Sequence, residues 1–256
     1  MKRLAPLMTV ALAVAATPAF SQSDAIAAPL NNFASSSILI PTMANVVGQQ
    51  NARFQSHVSI MNPTTNAFPV RVSFYDAAGT KTTATIQLAA GELKVYENFM
   101  DSVLKLTGAG AARFESDESA GGQRNNRFIL SSEVWTTSTL GRFGTTVPVL
   151  EFAGSDTKSF AAGVTVDPSA RTNVGCFNQS SSANDVKVTI FDGAGKSVAT
   201  LTLSLPGNAW GQTGVGANVV GGYAVFEPSD SAVCWATVVD NGSNDGRFVS
   251  AAEYAP

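Results

Sequence analysis

Val70-Arg-Val-Ser-Phe-Tyr-Asp-Ala-Ala-Gly79 and Val186-Lys-Val-Thr-Ile-Phe-Asp-Gly-Ala-Gly195 decide the fold. Each alternates apolar and polar side chains with period two, the mark of a half-buried strand. Val70, Val72 and Phe74 share one face, and Val186, Val188 and Ile190 share the equivalent one. Each run then breaks at an Asp followed three positions on by Gly. Asp bonds the backbone ahead of it and Gly takes a positive φ, so a hairpin turn is expected at both places. The two copies lie 116 positions apart, and the same offset sets Val58-Ser-Ile-Met-Asn62 over Val174-Gly-Cys-Phe-Asn178 and Gly91 over Gly207. After a deletion of four, Ala112-Arg-Phe-Glu115 matches Ala224-Val-Phe-Glu227, and both copies close on Gly-Arg-Phe, at Gly141–Phe143 and Gly246–Phe248. Matches in this order mark an internal duplication.

Working outward from the hairpins, Ile86 and Leu88 continue the alternation in the first copy, and Leu201, Leu203 and Leu205 in the second. Later strands are expected around Ala111–Ser116, Phe128–Thr136, Tyr223–Glu227 and Val233–Val239. Only Asn98–Leu106 reads as helical, with Phe99, Val103 and Leu106 at helical spacing behind an Asn98 cap. Some seven short strands in a module of about 100 residues indicate an immunoglobulin-like β-sandwich. The expected fold is all-β: two tandem immunoglobulin-like antiparallel β-sandwich domains related by internal duplication. The first covers residues 37–154 and the second 155–256, joined near Phe152–Lys158.

The N-terminal stretch reads as targeting. Lys2 and Arg3 precede an apolar run to Ala16, and Ala19 and Ser21 stand at −3 and −1 of a cut after residue 21. This is the pattern of a secretory signal; a membrane anchor would need about 20 uninterrupted apolar residues, and Pro6, Thr9, Thr17 and Pro18 interrupt this one. Residues 22–36 read as a flexible leader, and Ala251–Pro256 offers neither a hydrophobic tail nor a basic stop, so no membrane span is expected after signal removal. Cleavage removes two cations and takes the formal net charge from −3 to −5, a balance that excludes nucleic acid as a partner. The expected location is outside the cytoplasm: secreted, periplasmic or on the cell surface.

Cys176 and Cys234 are the only cysteines. Both fall on core-facing phases, where the first copy has Ile60 and Leu130. In an oxidising compartment, inward positions on facing sheets favour a disulfide over two buried thiols. His57 is the only imidazole, stands on an outward phase and becomes Asn173 in the second copy, so it reads as a surface residue rather than a catalytic base. Close-spaced His or Cys ligands for zinc are absent from the sequence. Glu115 and Glu227 recur by duplication, which suggests a shared strand-end hydrogen bond rather than a glycosidase pair. Gly108-Ala-Gly110 and Gly214-Val-Gly216 read as connections between strands.

Two features admit a functional reading beside a structural one. Asp240-Asn-Gly-Ser-Asn-Asp245 gathers oxygen ligands in a tight loop: either a polar turn, or a calcium site through Asp240, Asn241 and Asp245. Trp210, set against Lys94 by the common offset, lies in a glycine-rich loop: either packing at a sandwich end, or stacking on a sugar or a partner side chain. Trp135 and Trp235 fall in strands and read as structural.

Pro41-Thr-Met-Ala-Asn-Val-Val-Gly48, Asn62-Pro63, Tyr75-Asp-Ala-Ala-Gly79 and Gly141-Arg-Phe143 together resemble a loose set of secreted bacterial tandem-module proteins. The second copy lacks the lead segment and has Asn178-Gln179 in place of Asn-Pro. The resemblance implies fold and compartment, and no activity. The expected function is a non-enzymatic binding, adhesion or structural module with a protein or glycan partner, self-association being open. The alternative is a carbohydrate-active hydrolase or a lectin-like carbohydrate-binding protein.

Overall fold

The computed structural model describes residues 34–48, 51–116, 126–138, 141–151 and 156–253. The expected signal peptide and most of the leader, and residues 152–155 of the expected linker, lie outside them. The chain is all-β and antiparallel. The first half contributes β1 Ser37–Val47, β2 Arg53–Met61, β3 Phe68–Tyr75, β4 Lys81–Leu88, β5 Leu93–Tyr96, β6 Gly108–Ser116, β7 Ile129–Ser138 and β8 Gly141–Val147. The second contributes β9 Ser159–Val166, β10 Ala170–Asn178, β11 Asn184–Phe191, β12 Ser197–Leu205, β13 Trp210–Gly214, β14 Val219–Pro228, β15 Ala232–Asp240, β16 Gly246–Ser250 and β17 Ala252–Glu253.

Both halves use one pairing scheme. One layer runs β4-β3-β6-β1 in the first sandwich and β12-β11-β14-β9-β17 in the second; the other runs β5-β2-β7-β8 and β13-β10-β15-β16. In the first sandwich Asn45–Val47 of β1 also pairs with β2, which joins the two layers into one eight-stranded sheet. β9 holds the place of β1, so the second copy has a first strand although it lacks the lead motif. Inward side chains of both layers, such as Ile38, Ile60, Val72, Phe114 and Leu130, or Ala161, Val174, Val188, Phe226 and Ala236, form one apolar core per sandwich.

The hairpin turns have the expected chemistry. Asp76 Oδ1 accepts from the amides of Ala78 (2.9 Å) and Thr80 (2.8 Å), and Gly79 sits at φ 77°. Asp192 does the same for Ala194 (3.0 Å) and Lys196 (2.9 Å), with Gly195 at φ 82°. The repeated Asn62 and Asn178 are buried clamps: each amide donates into its own loop and to the turn after β4 or β12, at Ala89 O (2.9 Å) and Pro206 O (2.8 Å).

Several expectations need correction. Cys176 and Cys234 form a disulfide, but on directly opposed positions of neighbouring strands β10 and β15, with Cα atoms 4.1 Å apart. It is a cross-strand bridge within one sheet, because the second and seventh strands of each sandwich are neighbours; Ile60 and Leu130 pair in the same way. The helical segment is a single π-type turn, Met100–Leu104, closed by Lys105 in the left-handed region. Its wider turn buries Phe99, Met100 and Leu104, leaving Val103 and Leu106 only partly buried. Gly108–Gly110 belong to β6 and Gly214 ends β13, so these glycines are not simple connections. Glu115 pairs with Arg71 (2.9 Å), and Glu227 with Lys158 (2.8 Å) and Lys187 (3.1 Å): cross-strand ion pairs rather than strand-end hydrogen bonds.

Candidate functional site

All described residues belong to one compact unit, within which the two sandwiches pack face to face. Outward residues Leu39 and Ala111, with half-buried Tyr75 and Leu150, meet Phe177, Val233 and Trp235, with half-buried Trp210 and Phe248. Phe248, Trp235 and Trp210 stack in series at 6.0 and 6.3 Å, and Tyr75 meets Phe177 at 5.6 Å. Gly175 makes room for this stack: a Cβ there would lie 2.6 Å from the Trp235 ring. Polar staples frame it. The Trp210 amide donates to Asp76 O (3.1 Å), the Phe248 amide to Thr145 Oγ1 (2.9 Å) and the Gly144 amide to Asp245 Oδ1 (3.3 Å).

Beside this packing a cleft of about 380 Å³ opens between the sandwiches. Its first-sandwich wall is mainly apolar, with Ala44, Val46, Phe54 and Val147. The second-sandwich wall carries Asn173, Gln212 and Thr237 beside Trp210 and Arg171. Pairing explains the polar wall: Asn173 stands opposite Thr237, and Gly175 between Gln212 and Trp235, so the outward phases of β10, β13 and β15 converge. Trp235 Nε1 donates to Gln212 Oε1 (3.5 Å). The Trp210 Nε1–H is buried and finds no acceptor among the described residues. Such a donor costs about 1–3 kcal/mol and calls for an explanation.

The register also changes the partner of Trp210. Val198 makes a bulge in β12, one residue more than β4 has, so the offset slips by one beyond it. Trp210 pairs with Phe177 as Leu93 pairs with Met61; its counterpart is Leu93, not Lys94. An outward apolar residue at this place is common to both copies.

In the Asp240–Asp245 loop the Oδ1 atoms of Asp240, Asn241, Asn244 and Asp245 are engaged. Asp240 Oδ1 accepts from the Gly242 amide (3.0 Å) and from the Ser243 amide (2.7 Å) and hydroxyl (2.8 Å). The Ser243 hydroxyl and backbone bonds, with Arg171 adding its charge, hold the Asp240 carboxyl below its ordinary value. Asn241 Oδ1 (2.9 Å) and Asn244 Oδ1 (2.8 Å) accept from Arg171, whose pKa burial lowers against the opposing pull of Asp240. Asp245 bonds Gly246 and reaches Gly144. The loop thus orients Arg171 and staples the two sandwiches. Among the described residues no three His, Cys, Asp or Glu side chains gather at one place.

His57 lies on the outward face, as expected, but is not alone. With its proton on Nδ1 it donates to Glu97 Oε2 (3.4 Å) and accepts from Ser59 Oγ (3.1 Å). Arg142 bridges Glu97 and Glu133, each at 3.0 Å, and lies 4.0 Å from the centre of the Trp135 ring. The Glu97 pKa is lowered, first by its hydrogen bond with His57 and further by Arg142. Ser59, His57 and Glu97 follow the order of a nucleophile, base and orienting acid. They sit on an open sheet face, where β2 lies between β5 and β7 and its amides serve the ladders.

No family model and no curated protein matches the chain. The sequence singled out Trp210 but missed Arg171, Asn173, Gln212 and Thr237. The available signal was Phe177, Val233 and Trp235 on outward phases: apolar residues on both faces of a strand mean that both faces are covered.

Proposed function

We propose that the mature chain is an exported, non-enzymatic binding module that holds a small uncharged ligand of the carbohydrate class in the cleft between its sandwiches. The observation that carries this reading is a cleft of about 380 Å³ lined by Trp210, whose Nε1–H is buried and unpartnered among the described residues, together with Asn173, Gln212 and Thr237. Ligand sites favour domain junctions, apolar lining and a few placed polar groups. A sugar combines ring C–H faces, which suit aromatic and aliphatic walls, with hydroxyl oxygens that accept from an indole N–H and from Asn173, Gln212 and Thr237. The buried disulfide accords with export. The test is a glycan-array assay on residues 22–256, comparing wild type with Trp210→Phe, which keeps an aromatic ring and removes the donor. Binding that falls at least tenfold in the variant supports the reading; the absence of saccharide binding by wild type overturns it.

A second reading, hydrolysis, rests on the Ser59-His57-Glu97 order. A fluorophosphonate probe that labels Ser59, with labelling lost in His57→Gln, would establish it. An unlabelled protein removes it.

A further inference from the structure

We propose that copies of this chain associate head to tail, the outer face of β9-β11-β14 in one copy receiving the outer face of β5-β2-β7 in the next. Duplication gives each sandwich the same two outer faces, and the chain uses one of each internally. The β1-β3-β6 face of the first sandwich, through Leu39, Tyr75 and Ala111, is covered by the β13-β10-β15 face of the second, through Trp210, Phe177 and Val233. Strand pairing locates the two unused counterparts. Phe160, Phe191 and Tyr223 occupy the positions of Leu39, Tyr75 and Ala111. Leu93, Met61 and Ile129 occupy those of Trp210, Phe177 and Val233.

Both unused faces carry apolar side chains at these three positions, beside charged groups such as Lys187 and Glu227 on one and His57 and Glu133 on the other. Leu93 is 57% exposed, Met61 37% and neighbouring Val95 52%, whereas Phe177 and Val233 in the internal contact are 2% and 9% exposed. Leu93, Met61 and Ile129 lie in one row across three adjacent strands. On the other face Phe191 and Tyr223 stack at 5.0 Å beside Phe160, in a shallow depression of about 450 Å³. A row of exposed and half-buried apolar side chains, opposite in kind to a half-buried aromatic patch, is what the internal junction would look like if it were opened. The occupant is therefore a second copy of the chain, already represented by its own other half. The two faces differ, so the contact is heterologous and propagates as a ring or a filament rather than stopping at a two-fold dimer. None of these six residues lines the cleft, so assembly and ligand binding fail or succeed independently.

Sedimentation velocity and light scattering on residues 22–256, across a concentration series, read the assembly. Wild type is expected to gain mass with concentration. Leu93→Glu, with Val95→Glu as a second variant of that face, and Tyr223→Glu, with Phe191→Glu as a second variant of the other, are each expected to remain monomeric alone while melting as a single folded species. An equimolar mixture of Leu93→Glu and Tyr223→Glu retains one intact face of each kind and is expected to give dimers that grow no further. A wild type that stays monomeric throughout, single-face variants that assemble like wild type, or a mixture that forms no dimer overturns the proposal.

Discussion

Reducing Cys176–Cys234 separates what the covalent bond does from what the packing around it does. The bridge closes 58 positions of chain, which corresponds to about 4 kcal/mol of loop-closure entropy withheld from the unfolded state. Native packing barely changes on reduction. Both residues are buried, thiols pack as small hydrophobes, and the first sandwich holds the same paired positions with Ile60 and Leu130. The loss therefore belongs to the unfolded chain. In a folded body of this size 1 kcal/mol moves the midpoint by about 2–4 °C, so Tm is expected to fall by about 8–16 °C. Because the sulfurs are buried, the protein is reduced while unfolded, refolded with reductant, and scanned calorimetrically against the oxidised form, with thiols counted by mass after alkylation. A fully reduced protein whose Tm falls by less than about 3 °C would refute the reasoning, since the constraint on the unfolded chain would then be below about 1 kcal/mol.

Trp235→Ala removes the centre of the aromatic stack between the sandwiches and is expected to cost about 3–5 kcal/mol, splitting the single melting transition into two. A melt that remains single and unshifted contradicts the packing described. Asp240, Asp167 and Asp230 all have lowered pKa values, owed first to the hydroxyls of Ser243, Ser169 and Ser180. Each contributes stability that is complete above its unfolded pKa and is lost as pH falls through its folded one. The urea midpoint is thus expected to stay flat from neutrality to about pH 5 and to fall below about pH 4; a decline that begins near neutrality contradicts this assignment. With the Oδ1 atoms of Asp240, Asn241 and Asp245 engaged by amides, Ser243 and Arg171, excess calcium or chelator is expected to leave Tm unchanged. A calcium-dependent rise would show that the loop rearranges around an ion.

The duplication, the all-β class and both Asp-Gly hairpins were legible because each depends on local alternation and turn chemistry. The position of the disulfide was not, because alternation shows that Cys176 and Cys234 face inward but not which strands neighbour one another. The counterpart of Trp210 was misread for a similarly local reason: Val198 bulges without any Gly or Pro to mark it, and the positions from there through β13 slip by one, so that Gly91 matches Asn208 rather than Gly207. The cleft was hidden more deeply. Asn173, Gln212 and Thr237 look like ordinary solvent-facing strand residues, and become walls only because Gly175, Phe177 and Trp235 on the same face dock against Leu39, Tyr75 and Ala111. The Ser59-His57-Glu97 order depends on β5 lying beside β2, a pairing of strands distant in sequence.

The most direct measurement is the indole region of a nitrogen–proton correlation spectrum of residues 22–256, titrated with a panel of neutral mono- and oligosaccharides. Trp135, Trp210 and Trp235 are the tryptophans of the chain, and Trp210→Phe assigns the resonance of the unpartnered donor. A saccharide that shifts the Trp210 Nε1–H strongly, moves Trp235 less and leaves Trp135 in place is the predicted result. A panel that binds without moving Trp210, or that does not bind at all, contradicts the assignment of the cleft as the ligand site.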